Sequence, residues 1–291
     1  MTDVDFTMLN SMADADFDAA LERHREWGIR WVDLRDQIYG KRIADLTIEE
    51  AIRARAAIDE AGLEVVCLST GVFFEDVANG EEAFRRDHLG RLDHLLEISA
   101  VLRPRFFRLI AAQLPEREQG RSAVAILKER YPWVVEVYRE AIDRVAASGA
   151  TPTIENEAFS CFLSETRDFV DFFAWLDRPS VTLTWDVNNQ WATGVFPTID
   201  DYEALRPLIS YYHLKGGQTN GGSDALAWNS ALEDSDFAVE EITRRVIDDG
   251  VSPVICLNPS QHGRPKPGYD YADLALRDLR YLQSTFSRSI R

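Results

Sequence analysis

Short apolar runs alternate along the chain with longer segments whose apolar residues recur at helical spacing. The short runs are rich in β-branched and aliphatic residues, which suit a covered, pleated surface. We predict eight such runs as strands, at residues 5–9, 29–35, 63–70, 105–110, 151–154, 181–185, 209–212 and 253–257. Strands that alternate with helices in this way predict right-handed βαβ units and a parallel sheet.

The number of these units predicts how the sheet is arranged. Eight strand–helix pairs in 291 residues match a closed (β/α)8 TIM barrel, and no linker or low-complexity stretch interrupts residues 1–291. We therefore expect one barrel domain. An open, doubly wound sheet is the alternative, but no glycine fingerprint follows the first strand. Pro132 is expected to kink or divide the helical region at 122–149.

Charge and hydropathy limit the classes of partner. The chain has 32 Lys and Arg against 49 Asp and Glu, which gives a formal charge of −17. Such a surface repels phosphate backbones and anionic lipids, so neither nucleic-acid nor membrane binding is expected. No apolar run reaches the roughly 20 residues of a membrane helix, and the N-terminus lacks signal-peptide features. These features predict a cytoplasmic protein.

The three cysteines and most of the five histidines do not form a recognisable ligand motif. Cys161 follows the fifth strand, and a catalytic thiol there would lack a visible activating partner. His24 lies on the apolar face of a predicted helix and is interpreted as a packing residue. His88 and His94 lie among charged neighbours, which favours a helix surface or the edge of the core.

Three successive strands end in residues that can bind a metal. The fifth, sixth and seventh strands lead into Glu155, Asp186 and His213. In a TIM barrel these strand ends meet at the face that carries the active site. Two carboxylates and one imidazole suit a divalent ion such as manganese, magnesium, cobalt or zinc. The alternative is that each acid caps a following helix and His213 makes a hydrogen bond across the rim.

These residues also carry a family resemblance that extends over nearly the whole chain. Residues 154–156 (IEN), 185–189 (WDVNN) and 213–215 (HLK) resemble, in order, the Glu-Asn, Asp-x-x-Asn and His-x-Lys motifs of the xylose isomerase-like TIM barrels. That family includes sugar and sugar-phosphate isomerases and epimerases, inosose dehydratases and hydroxypyruvate isomerases. The resemblance implies a metal-dependent enzyme that acts on a sugar, sugar phosphate or cyclitol.

The chain departs from the family pattern at three positions. The family's eighth strand usually ends in a Glu that binds the metal and moves a proton, whereas this chain has Asn258. An amide oxygen can bind a hard cation, but it has no charge and cannot act as a base. Gly216 stands where relatives commonly have Asp, and Glu157 where many have His. Metal occupancy is therefore an open question at the sequence level.

The resemblance implies proton transfer between adjacent carbons, with the metal polarising a carbonyl and two Glu residues exchanging protons. With Asn258 in the fourth position, Glu155 remains as ligand and base, and Glu157, Lys215 or His262 would supply the other proton. A one-base isomerisation or dehydration tolerates this loss better than a symmetric epimerisation does.

Further residues are predicted to contact the substrate. Arg108, at the end of the fourth strand, could bind a hydroxyl, carboxylate or phosphate, or pair with a rim acid. Asn189 belongs to the sixth-strand motif, and His262 lies in a polar loop. Trp191 could form an apolar wall against a sugar face, although core packing explains it equally well.

Two other functions compete with the isomerase, epimerase or dehydratase interpretation. The first is a non-catalytic barrel that binds a small polyol after loss of the metal. The second is an endonuclease of the related abasic-site repair group, which builds its metal centre from many histidines. Five histidines and a charge of −17 argue against that group. The expected partner is a small sugar or polyol, and a homodimer is the expected assembly, since such barrels often pair.

Overall fold

The computed structural model describes residues 4–118, 120–158, 160–221, 223–227, 230–259 and 271–286. Seven strands come first along the chain, before a two-stranded hairpin and a final strand. Their bounds are β1 Asp5–Met8, β2 Trp31–Leu34, β3 Glu64–Leu68, β4 Phe106–Ile110, β5 Thr151–Glu155, β6 Thr182–Asp186, β7 Ile209–Leu214, β8 Gln218–Asn220, β9 Ser223–Ala227 and β10 Val254–Leu257. All eight predicted strands are present.

The eight strands outside the hairpin form one parallel sheet in the order β1-β10-β7-β6-β5-β4-β3-β2. A parallel bridge between Leu9 and Asp33 joins the two ends of this order, so the sheet is nearly closed. This arrangement is a (β/α)8 TIM barrel, as predicted, and the doubly wound alternative is wrong. The carboxyl ends of β5, β6 and β7 therefore lie side by side, as the site prediction requires.

Helices follow most of the strands. Their bounds are α1 Asn10–Ala13, α2 Phe17–Glu26, α3 Ile48–Glu60, α4 Glu81–Phe84, α5 Gly90–Leu102, α6 Ala123–Arg130, α7 Trp133–Ala147, α8 Thr166–Leu176, α9 Val187–Ala192, α10 Ile199–Leu205, α11 Val239–Asp249 and α12 Tyr271–Phe286. Pro132 separates α6 from α7, as expected for a residue that cannot continue a helix. No helix in the described part of the chain is long and apolar enough to cross a membrane.

Local sequence signals explain several of these elements. The Thr47 side chain accepts a hydrogen bond from the Glu50 amide while Glu50 accepts one from the Thr47 amide, so the predicted capping box opens α3. His24 is fully buried, and its Nδ1 lies 2.7 Å from the Ala20 carbonyl oxygen, which confirms its packing role.

The glycine pair after β7 serves close packing. A Cβ atom on Gly216 would lie 2.1 Å from the Ser230 carbonyl oxygen, and one on Gly217 would lie 2.5 Å from Asn188 Nδ2. No side chain fits there without moving backbone or buried neighbours. The chain then turns back through the β8–β9 hairpin. This crowding is a physical reason for Gly216 at a position where relatives commonly have Asp.

One buried carboxyl on α12 makes stability depend on pH. Asp278 is 1% exposed, and its Oδ1 accepts a hydrogen bond from the Leu232 amide at 2.8 Å. Burial raises the pKa of Asp278 to about 7. Because the folded pKa lies above the unfolded value, the folded state binds the proton more tightly, and this group's contribution to stability falls as the pH rises from about 4 to about 7.

We therefore predict that Asp278→Asn stabilises the protein at pH 8, on the order of 2 kcal/mol, and has little effect near pH 4. Urea unfolding at both pH values measures the difference. The exposed Asp171 of α8 provides the control, since Asp171→Asn should give similar small changes at both. An equal effect of Asp278→Asn at the two pH values would contradict the prediction.

Candidate active site

The three predicted donors converge at the carboxyl ends of β5, β6 and β7. One donor atom each from Glu155, Asp186 and His213 lies within 4.8 Å of the other two. The three residues are 1%, 0% and 0% exposed. Parallel pairing brings this about, because Asp186 lies opposite His213 in the β6–β7 register and Glu155 lies opposite Thr184 of β6.

A buried guanidinium accompanies the first of these donors. Arg108 on β4 is 2% exposed and forms an ion pair with Glu155 Oε2, while its Nη2 donates to the carbonyl oxygens of Ser69 and Thr70 at 3.0 and 3.1 Å. Burial alone would raise the pKa of Glu155, but Arg108 and then His213 outweigh it and hold that pKa well below its usual range. Glu155 is therefore ionised at neutral pH.

Asp186 has partners on both of its oxygens. Its Oδ1 accepts hydrogen bonds from the Asn188 and Asn189 amides at 3.1 Å and so caps α9. Its Oδ2 lies 2.8 Å from Lys215 Nζ, which also donates to Asn189 Oδ1 at 2.9 Å. The capping alternative raised by the sequence is thus realised at Asp186, and one oxygen still faces the other donors.

Asn258 and Glu157, the predicted fourth ligand and a predicted proton donor, also lie next to the three donors or to their neighbours. Asn258 follows β10, and its Nδ2 lies 3.5 Å from Asp186 Oδ2, so the altered fourth position does adjoin the donors. Glu157 Oε1 accepts hydrogen bonds from the Ala158 amide at 2.9 Å and from Asn189 Nδ2 at 3.2 Å. Burial, and next the charge of Glu155, raise the pKa of Glu157, while Lys215 opposes them.

The donor set fits a divalent cation by the type of its donor atoms and by hydrogen bonding. His213 Nδ1 lies 3.1 Å from Glu155 Oε1, yet within the described residues neither ring nitrogen makes a hydrogen bond. Despite its burial, the pKa of His213 is raised by the nearby Cys256, Glu155 and Asp33, so the imidazole is a further cation beside Arg108 and Lys215 when no metal is bound. Two carboxylates and an imidazole, once it has lost that proton, are a donor set that divalent ions accept.

A cavity of about 710 Å³ opens above this cluster. Pockets of this size commonly hold small molecules. Its floor is formed by Arg108, Glu157, Asn189, Lys215 and Asn258. Glu155, Asp186 and His213 lie beneath this floor, so the residues that a substrate would touch first differ from the three donors.

One of the predicted substrate-binding residues stands apart from the cavity floor. Trp191 is 1% exposed, and its ring packs against Phe196 and Phe237, so the structure gives it the packing role. His262 lies outside the described residues. Cys161 is buried, and burial raises the pKa of its thiol, which argues against the catalytic-thiol alternative.

The outer wall of the cavity contains residues that the sequence did not single out. Arg35, Arg42 and Arg91 line it, as does His88, which was assigned to a helix surface or to the edge of the core. His88 lies in a π-helical turn at 85–89, and its Nδ1 accepts a hydrogen bond from the Phe73 amide at 3.0 Å. These side chains come from separate loops and helices, so no spacing rule groups them.

Comparison with known proteins places the chain in a family. Residues 21–284 match the model of the xylose isomerase-like TIM barrel family, and the chain belongs to it. The resemblance inferred from the three strand-end motifs is thereby confirmed. No curated protein sequence matches the chain.

Solved structures with the same fold include enzymes and a metal complex. A probable 3-DHS dehydratase, AsbF from Bacillus anthracis, has a TM-score of 0.71 and 14% identity, over 96% of this chain and 98% of its own. D-psicose 3-epimerase from Clostridium cellulolyticum H10, solved with D-tagatose, has a TM-score of 0.71 and 13% identity, over 98% of this chain and 100% of its own. A xylose isomerase-like TIM barrel protein from Mycobacterium smegmatis, in complex with magnesium, has a TM-score of 0.71 and 16% identity, over 97% of this chain and 96% of its own. At these identities the likeness establishes the fold.

Proposed function

We propose that the protein is an isomerase or epimerase of a sugar, sugar phosphate or cyclitol, with dehydration as the runner-up activity. The reaction is a proton transfer on the carbon next to a carbonyl group. One observation carries this proposal: Glu155, Asp186 and His213 converge within 4.8 Å beneath a cavity floor that offers Glu157 and Lys215. The dehydratase and epimerase among the structural neighbours support the same reaction class.

The positions of the side chains indicate which residue transfers the proton and which binds the substrate oxygen. Glu157 lines the cavity and carries a carboxyl group that can take a proton from a substrate carbon. Glu155 lies beneath the floor and is paired with Arg108, which favours Glu157 over Glu155 as the proton-transfer group. Lys215 also lines the cavity, and its ammonium group can donate to a substrate oxygen while it holds Asp186.

We assign the metal site to Glu155, Asp186 and His213, with the amide oxygen of Asn258 as the fourth ligand. Manganese, magnesium, cobalt and zinc all accept this donor set. A bound divalent ion would polarise the substrate carbonyl and stabilise the negative charge that develops on its oxygen.

Deuterium exchange tests the proposed reaction class even when the product is unidentified. The protein is incubated in D2O with ketoses, ketose phosphates or inososes and manganese, and mass spectrometry follows the carbon-bound hydrogens. An isomerase, an epimerase or a dehydratase that works by proton transfer incorporates deuterium next to the carbonyl. We expect exchange with at least one of these classes, and its absence from all three at stoichiometric protein would refute the proposal.

The fourth position gives a test of the metal site. Asn258→Glu adds a charged oxygen beside Asp186, and affinity for hard cations rises with the number of charged ligands. We predict that this variant binds manganese roughly tenfold more tightly than the wild type, as measured by calorimetric titration.

Asn258→Gln is the matched control, because it lengthens the side chain without adding charge. Its affinity should stay at or below that of the wild type. If Asn258→Glu binds manganese no more tightly than Asn258→Gln does, Asn258 is not at the fourth ligand position.

A non-catalytic polyol-binding barrel is the second candidate. It is favoured by the two internal ion pairs, since Arg108 and Lys215 already neutralise Glu155 and Asp186 in the absence of a metal. Under this alternative the wild type would bind sugars in the cavity, take up no stoichiometric metal and catalyse no deuterium exchange.

A further inference from the structure

A second polar cluster lies beneath the metal site, on the other side of His213. Asp33, at the carboxyl end of β2, is fully buried, and its Oδ2 lies 3.7 Å from His213 Nε2. In the strand order, β10 and β1 separate β7 from β2. The contact therefore crosses the interior of the barrel and does not follow from pairing between neighbouring strands.

The Asp33 carboxylate is itself held in place from two sides. Ser69 Oγ donates to its Oδ1, and the Tyr211 hydroxyl donates to its Oδ2 at 2.8 Å. The ring of Tyr211 also packs edge-on against the His213 ring, with centroids 4.7 Å apart at 81°. The carboxylate and the imidazole are thus fixed relative to each other by one shared neighbour.

The two nitrogens of His213 face different groups. Nδ1 lies 3.1 Å from Glu155 Oε1, on the side of the metal donors, and Nε2 faces Asp33. An imidazole that binds a metal through one nitrogen usually directs its other N–H at a carboxylate, a carbonyl or a water, which fixes the tautomer and the ring orientation.

We propose that Asp33 is a positioning residue, which holds the His213 imidazole with its proton on Nε2 and the Nδ1 lone pair directed at the metal site. The inference rests on the proposed function for the role of the metal. It adds a residue on β2, outside the three motifs that define the site, to the machinery.

Asp33, His213 and Cys256 could instead hold a second metal ion, since their donor atoms lie within 4.8 Å of one another. Hydrogen bonding favours positioning. Both Asp33 oxygens already accept hydrogen bonds from Ser69 and Tyr211, and the Cys256 thiol is itself placed to donate to Asp33 Oδ2 at 3.7 Å. A metal ion at this place would have to displace these hydrogen bonds.

The test compares Asp33→Asn with the wild type in manganese titrations and in NMR spectra of 15N-histidine-labelled protein, metal-free and with zinc. Loss of such a supporting carboxylate typically weakens metal binding 10- to 100-fold, and we expect a loss of that size. In the wild type with zinc, the His213 signals should show the proton on Nε2. In Asp33→Asn these signals should shift or divide between tautomers.

Asp168→Asn is the matched control, because Asp168 is also fully buried and ion-paired, at 2.8 Å from Arg117, but lies on α8 away from His213. It should lower stability and leave metal affinity and the His213 signals unchanged. The positioning role is overturned if Asp33→Asn behaves in the same way, or if wild-type His213 carries its proton on Nδ1.

The same experiments distinguish failure of the proposed function from failure of the positioning role of Asp33. A wild type that takes up no metal would refute the metal assignment, and the His213 signals of metal-free wild type and Asp33→Asn would still decide the role of Asp33. If Asp33→Asn does not fold, Asp33→Glu takes its place in both measurements, because its longer side chain displaces the carboxylate relative to Nε2. Unchanged metal affinity together with unchanged His213 signals would then overturn the role, as would a proton on Nδ1 in the wild type.

Discussion

Glu157→Gln is expected to slow deuterium exchange into the substrate by about 100- to 10,000-fold, the usual contribution of a positioned proton-transfer group. Gln keeps the shape of the side chain and can still accept the hydrogen bonds from Ala158 and Asn189, but it cannot take up a proton. Glu157 is not among the assigned metal ligands, so metal affinity should change little. Exchange rates and calorimetric titration of one preparation measure both effects.

Two Glu→Gln variants serve as controls. Glu75 also lines the cavity but is paired with His88 and Asn79 on the outer wall, so Glu75→Gln should retain most of the exchange activity. Glu155→Gln should lose metal affinity together with activity. The proton-transfer role would belong to Glu155 if two results came together. Glu157→Gln would catalyse deuterium exchange at the wild-type rate, and Glu155→Gln would still bind metal but no longer catalyse the exchange.

Arg108→Met is expected to lower the free energy of unfolding by about 3 to 5 kcal/mol, because it leaves the ionised Glu155 buried without its partner. The carbonyl oxygens of Ser69 and Thr70 also lose a donor. The double variant Arg108→Met/Glu155→Gln removes both charges and should recover a large part of this loss. Urea unfolding of the metal-free proteins at pH 7 measures each value.

The exposed pair of Arg25 and Glu22 on α2 is the matched control, and Arg25→Met should leave the free energy of unfolding unchanged. An Arg108→Met variant as stable as the wild type would show that the buried pair contributes nothing. A double variant as unstable as the single one would show that the loss comes from packing and not from the unpaired charge.

The alternation of strands and helices was predictable because it depends on local patterns. β-branched runs such as 181–185 favour a buried strand, and Pro132 cannot continue a helix. Closure into a barrel was favoured by the number of units and is seen in the Leu9–Asp33 bridge. The π-helical turn at 85–89 was missed, because no composition rule distinguishes it from an ordinary helix.

The candidate site was predictable only as far as strand ends can be aligned. Glu155, Asp186 and His213 were found because parallel strands place their carboxyl ends on one face. The choice between metal binding and helix capping at Asp186 could not be made from the sequence, and the structure shows capping hydrogen bonds on Oδ1 and the Lys215 ion pair on Oδ2. The sequence allowed Arg108 either to contact the substrate or to pair with a rim acid. In the structure it pairs with Glu155 and also lines the cavity.

The sequence by itself determined the order of the elements, the barrel class and the three strand-end donors, because these follow from periodicity and chain direction. Only the tertiary structure decided what lies above and below those donors. Glu157 and Lys215 belong to the cavity floor above the donors. Asp33 lies against His213 although 180 residues separate them in the chain, because closure of the barrel points side chains of non-neighbouring strands into the same interior. Contacts of that kind depend on three-dimensional closure, which no local pattern encodes.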